Sequence, residues 1–188
     1  MGNFYVNYTL KGPDQSDVVR ILDGRRAAVT IQQRRCVVVF DEESDVQDID
    51  VVAELSSMMS EKLACPVFAV VNHDDDVLIY QLRANGELVD EYSSSPGYFD
   101  DGPPEPPSGG DAARLTSTFG ASDSAVVESI LRKSSDGKDG YIFEIDRHRD
   151  LVRALDLPEW AVGTSYEGLA AGEYPEGLTE ADLHRTAR

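Results

Sequence analysis

PVFAVVNHDDDVLIYQLRANGELVDEY, residues 66–92, reads as three consecutive strands. PVFAVV (66–71) is an apolar strand, and VLIYQLR (77–83) and ELVDEY (87–92) flank Asn85-Gly86. That dipeptide favours a two-residue type I′ hairpin turn, in which both central residues need positive φ. The charged stretch between the first two strands, His73-Asp74-Asp75-Asp76, has two readings. It is a solvated turn, or it is a place where a histidine and carboxylates do chemistry.

Working outward toward the amino terminus, FYVNYTL (4–10) alternates, with Phe4, Val6, Tyr8 and Leu10 on one face, so it is expected as a half-buried strand. Gly12-Pro13 breaks the chain, and a cap at Asp14 or Ser16 opens a short helix that Gly24 ends. AAVTIQ (27–32) and CVVVF (36–40) follow as strands joined through QRR (33–35), the second with the continuous apolar pattern of a buried strand. Val51, Val52, Leu55, Met58, Met59 and Leu63 recur at helical spacing, the mark of a helix covering a sheet.

Strand–helix–strand–strand–helix–strand is the ferredoxin-like βαββαβ order, here extended by a β-hairpin and followed by a mostly helical lobe. Right-handed crossovers then give the sheet order sixth, fifth, fourth, first, third, second, with both helices on one face. The chain divides into an α+β core (1–95), a Pro/Gly-rich linker or surface loop (96–111), a helical lobe packed on the core (112–175) and a loosely ordered tail (176–188).

With 188 residues and 41% hydrophobic composition the chain is long and apolar enough to fold. Its formal net charge is −18, from 35 acidic against 17 basic residues. Such a surface repels nucleic acid and anionic membranes and favours a basic protein partner. No stretch approaches the roughly 20 apolar residues of a membrane span, and MGNFYVNYTL has neither a basic n-region nor an apolar h-region, so a cytoplasmic location is expected. Cys36 and Cys65 each open an apolar run without a CxxC, and read as buried small hydrophobes.

In this topology the third, fourth and sixth strands run the same way. Their carboxyl ends carry Asp41-Glu42-Glu43, His73-Asp74-Asp75-Asp76 and Asp90-Glu91, expected to form one acidic edge. The first two clusters would lie about 10 Å apart, and Arg25-Arg26 would answer part of the repulsion beside Asp41. Asp74, Asp76 and His73 are the residues that could hold a hard divalent cation, although side chains in a tight turn diverge. No nucleophile elbow, P-loop, dinucleotide fingerprint or zinc-protease motif is present, and no catalytic residue or cofactor is assigned. Tyr92, Tyr98 and Phe99 form an aromatic patch after the sixth strand, a candidate recognition loop. Trp160 reads as a core plug.

Three functions follow. The favoured one is a non-enzymatic module whose acidic surface binds a basic protein, in the manner of an inhibitor or immunity protein. A small-molecule-sensing regulatory domain and a divalent-metal-dependent hydrolase at residues 73–76 are the alternatives.

Overall fold

A computed structural model describes residues 2–100, 105–135 and 139–187. It is a mixed α+β structure built on an eight-stranded antiparallel sheet with six helices. The strands are β1 (Tyr5–Lys11), β2 (Ala27–Thr30), β3 (Cys36–Asp41), β4 (Val67–His73), β5 (Val77–Ala84), β6 (Glu87–Ser93), β7 (Ser108–Gly109) and β8 (Leu183–Arg185). Their order is β7-β6-β5-β4-β1-β3-β2-β8. The helices are α1 (Gln15–Ile21), α2 (Ile49–Leu63), α3 (Ala112–Phe119), α4 (Ser124–Arg132), α5 (Glu144–Ala154) and α6 (Tyr166–Ala170).

Both faces of the sheet are covered, and side-chain alternation along each strand decides what covers them. Val6, Tyr8, Leu10, Val29, Val37, Val39, Val67 and Ala69 pack against Val18 and Leu22 of the α1 segment and Val52, Leu55 and Met59 of α2. On the opposite face, Tyr5, Phe68, Val70, Tyr80 and Leu82 meet Leu115, Val127, Leu131, Leu151 and Leu155 from α3, α4 and α5. A third cluster lays Trp160, Tyr166, Leu169 and Leu178 over Ala28, Val38 and Phe40.

Strand β1 is therefore not half-buried. It runs through the sheet centre with Asn7 and Thr9 as deeply enclosed as its apolar residues, and Asn7 Nδ2 donates to the carbonyls of Ala161 (2.6 Å) and Thr164 (3.3 Å). Phe4 lies outside the strand and is exposed. The sixth strand is not an edge either. Gly109 in β7 pairs with Tyr92, although it sits in the stretch expected to be irregular. Its φ of +71° and a backbone approach that would put a Cβ 2.2 Å from the Glu91 carbonyl oxygen leave no room for a side chain. At the other edge, Leu183–Arg185 of the tail pairs with β2, where the sequence suggests loose order.

Three hairpins carry left-handed residue pairs. Asn85-Gly86 turns β5 into β6, Asp74-Asp75 turns β4 into β5, and Arg34-Arg35 turns β2 into β3.

Candidate functional site

The His73–Asp76 stretch is a type I′ hairpin turn. Asp74 and Asp75 have φ of 54° and 59°, and Asp76 N donates to the His73 carbonyl at 3.0 Å. Asp and Asn tolerate the left-handed region better than other side chains, because a short polar chain can bond locally. The three aspartates diverge and each fastens something different. Asp74 accepts from Gly2 N (2.9 Å), and Asp76 accepts from Tyr98 Oη (3.1 Å). Asp75 is buried and accepts from Asn3 N, Asn3 Nδ2 and Asn72 Nδ2 at 2.7–3.0 Å. Its carbonyl also takes the Glu144 amide at the start of α5. The turn ties the amino-terminal segment and the helical lobe to the sheet.

Asp41 is likewise a fastener. It has no exposure, receives Nε and Nη2 of Arg25 at 3.0 and 2.8 Å, and accepts from the amide and hydroxyl of Ser44. A fork-to-fork guanidinium pair of this kind offsets the cost of burying the charge. Glu42 and Glu43 pair with Arg26 and Arg25.

The expectation of one acidic edge fails at Asp90-Glu91. Asp90 pairs with Leu82, which pairs with Phe68, five residues before His73 along β4. That is about 17 Å of strand. Asp90 instead accepts from Tyr80 Oη (2.7 Å) and the Asp111 amide (3.0 Å), and Glu91 gives its carbonyl to the Gly110 amide. Tyr92 does not belong to a recognition loop: it is buried, stacks on Tyr80 at 5.3 Å and donates to the Leu131 carbonyl. Among the described residues no group of three His, Cys, Asp or Glu side chains is placed to hold a metal ion.

What does converge is aromatic. His73 stands inside a cup of three rings: Phe4 at 4.9 Å, Phe99 at 5.1 Å and Tyr98 at 5.7 Å, all edge-on. Gln47, itself left-handed at φ 61°, orients the imidazole. Its Nε2 donates to the Asn72 carbonyl (2.8 Å), which turns Oε1 toward His73 Nδ1 at 2.6 Å. Nδ1 therefore carries the hydrogen, and Nε2 makes no bond to a described residue. Beside the cup lies a cavity of 390 Å³ walled by Val46, Ile49, Val71, Ile79 and Phe99. Phe99, Phe4, Val46 and Ile49 are exposed, Val46 by 76%.

Among the described residues that line the cup there is no cysteine, serine or threonine. Both cysteines are buried in the core with thiols pushed up to about 11 by desolvation, so neither is a reactive thiolate. His148, on α5, is fully enclosed and shares a 2.8 Å hydrogen bond with Tyr5 Oη. The arrangement at His73 suits recognition: flat apolar surface, one imidazole acceptor and carboxylates at the rim. Tyr98, Phe99 and His73 stand out separately in the sequence, whereas Phe4, Gln47, Val46 and Ile49 carry no local signal of a site. Phe4 was masked by its phase in an alternating run, and Gln47 lies in a polar stretch with no pattern.

No protein-family model, no curated protein and no solved structure matches the chain. No helix among the described residues is long and apolar enough to cross a membrane.

Proposed function

We propose that this chain is a non-enzymatic interaction module that binds a basic protein partner, in the manner of an inhibitor or immunity protein. The observation that carries the reading is the aromatic cup. Exposed Phe4, Phe99, Val46 and Ile49 form an apolar surface around an oriented His73, within a chain of net charge −18. Contiguous apolar surface rimmed by polar groups is what interfaces present, and aromatic side chains are their usual anchors. The acidic field speeds encounter with a cationic partner and works against binding to nucleic acid.

The sheet supports a ferredoxin-like reading of the portion from β1 through β4. Its order there is β4-β1-β3-β2, every pair is antiparallel, and α1 and α2 share one face. In that arrangement the cup sits at the sheet end where β4 finishes, on a hairpin held rigid by Asp75.

The test is capture by the immobilised protein across a salt series, with Phe99→Ser and Phe4→Ser variants alongside. Both side chains are exposed, so the variants keep the fold, and loss of an anchor should weaken capture by about thirtyfold, the equivalent of about 2 kcal/mol. Recovered partners should be basic and should dissociate more readily as salt rises. Recovery of only neutral or acidic partners, salt-insensitive binding, or undiminished capture by both variants defeats the proposal.

A further inference from the structure

At the sheet end opposite His73, three of the chain's 17 basic residues line a single cavity of 570 Å³. The volume falls within the range of small-molecule sites, about 300–1,000 Å³. Arg34 comes from the β2–β3 turn, Arg149 and Arg153 from α5, and Trp160 from the 3₁₀ turn Glu159–Ala161. Val162 and Pro175 add apolar wall. We propose that this cavity binds a small organic oxyanion, a phosphate or a carboxylate, with its charged group on the arginines and its organic part against Trp160.

Four observations support the assignment. First, the guanidinium groups have donors to spare. Arg34 spends Nη1 on the Leu157 carbonyl (3.1 Å) and Asp156, Arg149 spends Nη1 on Asp146, and Arg153 spends Nε and Nη2 on Glu159. Nη2 of Arg34, Nη2 of Arg149 and Nη1 of Arg153 make no bond to a described residue. Second, those carboxylate partners are weak competitors. Asp156 is 78% exposed, and Asp146 and Glu159 are about half exposed, so each pair is weak and yields readily to a ligand that fits the guanidinium fork.

Third, Trp160 is 6% exposed, yet its indole Nε1–H has no hydrogen-bond partner among the described residues. It faces Gly177, another wall of the cavity, where a Cβ would stand 3.8 Å from Nε1. The nitrogen is not among the side-chain atoms buried without a partner, so its N–H is open to the cavity, where an oxyanion can accept from it. Fourth, Arg34 and Arg35 occupy left-handed conformations, φ 52° and 62°, in a turn where Asn-Gly is the unstrained choice this chain makes at 85–86. Left-handed backbone is strained for a side chain of this kind, and such strain concentrates where a side chain is held for use. Glu159 and Glu176 also line the cavity, so the lining sums to three positive and two negative charges. The surplus is small, but it lies in a molecule that is otherwise strongly anionic.

Trp160 is the chain's single tryptophan, so its emission reports on this cavity alone. The protein is titrated with phenyl phosphate and, separately, with benzoate, following tryptophan emission and calorimetric heat, with sodium chloride at matched ionic strength as control. Saturable binding of at least one probe with Kd below about 1 mM is expected. Arg153→Gln should weaken it at least about tenfold, and Arg20→Gln, on the remote α1, should leave it unchanged. Phenyl phosphate alone binding marks the ligand as a phosphate, and benzoate alone binding marks it as a carboxylate. If Arg153→Gln fails to fold, Arg149→Gln takes its place. The proposal is overturned if neither probe saturates, if sodium chloride reproduces the change, or if binding survives loss of the arginine.

Discussion

Asp45 allows a prediction with a defined sign. It lies in the 3₁₀ turn Glu43–Val46, and its Oδ2 accepts the Glu167 amide at 2.8 Å, joining that turn to α6. Its Oδ1 is buried without a partner. Desolvation pushes the carboxyl up to about 6 from 3.8, against the lowering effect of the Glu167 amide. Between those two values the folded chain holds the proton more tightly than the unfolded chain does. Stability is therefore lost as pH rises through the window, and the deficit is complete above it.

Two pKa units set a ceiling of about 3 kcal/mol. Partial exposure screens this to about 2 kcal/mol. In Asp45→Asn the amide oxygen keeps the Glu167 bond, while the amide nitrogen inherits the unpartnered position, which returns about 1 kcal/mol. The variant should therefore be more stable than wild type by about 1 kcal/mol at neutral pH, or about 2–4 °C in midpoint for a chain of this size. Near pH 4 the advantage should vanish, because wild-type Asp45 is then protonated too. Urea unfolding of both proteins from about pH 4 to about pH 8 measures the difference curve, which removes the contributions of every other carboxyl. A variant no more stable at neutral pH, or an advantage that persists undiminished in acid, refutes the reasoning.

Two further perturbations test the scaffold. Burial, with the nearby Arg149 charge adding to it, drives His148 down to about 3, so it stays neutral in the fold while the unfolded chain protonates near 6.5. Its contribution is fully present above about pH 6.5 and is lost at up to about 1.4 kcal/mol per unit as pH falls; His148→Gln should flatten that part of the stability profile in the same urea series. Asp75→Ala strands Asn3 and Asn72 and should cost about 2–3 kcal/mol, read as faster amide exchange at Asn3 and a lower unfolding midpoint. Unchanged Asn3 exchange in that variant would mean that other contacts hold the amino terminus.

Much of the sheet was legible because the signals were local. Asn85-Gly86 set one hairpin, and the apolar run Cys36–Phe40 marked a strand covered on both faces, as the cores on either side of it show. The edges were not legible. Ser108–Gly109 and Leu183–Arg185 are too short to carry a period, and they become strands because β6 and β2 offer unpaired backbone groups. Tyr92 departs from expectation for a different reason: its nearness to Tyr98 in sequence suggests one patch, whereas register decides its side. The hairpin pairs it with Tyr80, whose ring lies in the core, and a register shift at Leu82/Arg83 sets which residues of β6 face inward. Counting from the turn with that extra residue would have turned Tyr92 inward. The pairing of Arg25 with Asp41 was anticipated, but its depth was not, since nothing local says that the loop after β3 folds back as a 3₁₀ turn.

The fate of the acidic residues bears on how a partner would be recognised. Asp41, Asp75 and Asp90, three of the carboxylates expected to form one acidic edge, spend their oxygens on Arg25, Asn3, Asn72 and Tyr80. A carboxylate already satisfied by buried donors has little left to offer a partner at short range. Asp75 and Asp90 still add to the long-range field, because their neutral donors stabilise a charge without cancelling it, whereas Arg25 offsets the charge of Asp41. In the proposed interaction, steering and specificity are thereby separated. On the proposed function, the net −18 would raise the encounter rate with a cationic partner, an effect that falls away with salt, while the aromatic cup at His73 would set how long an encounter lasts. Substitutions at Phe4 or Phe99 should therefore appear in dissociation rates, and added salt in association rates.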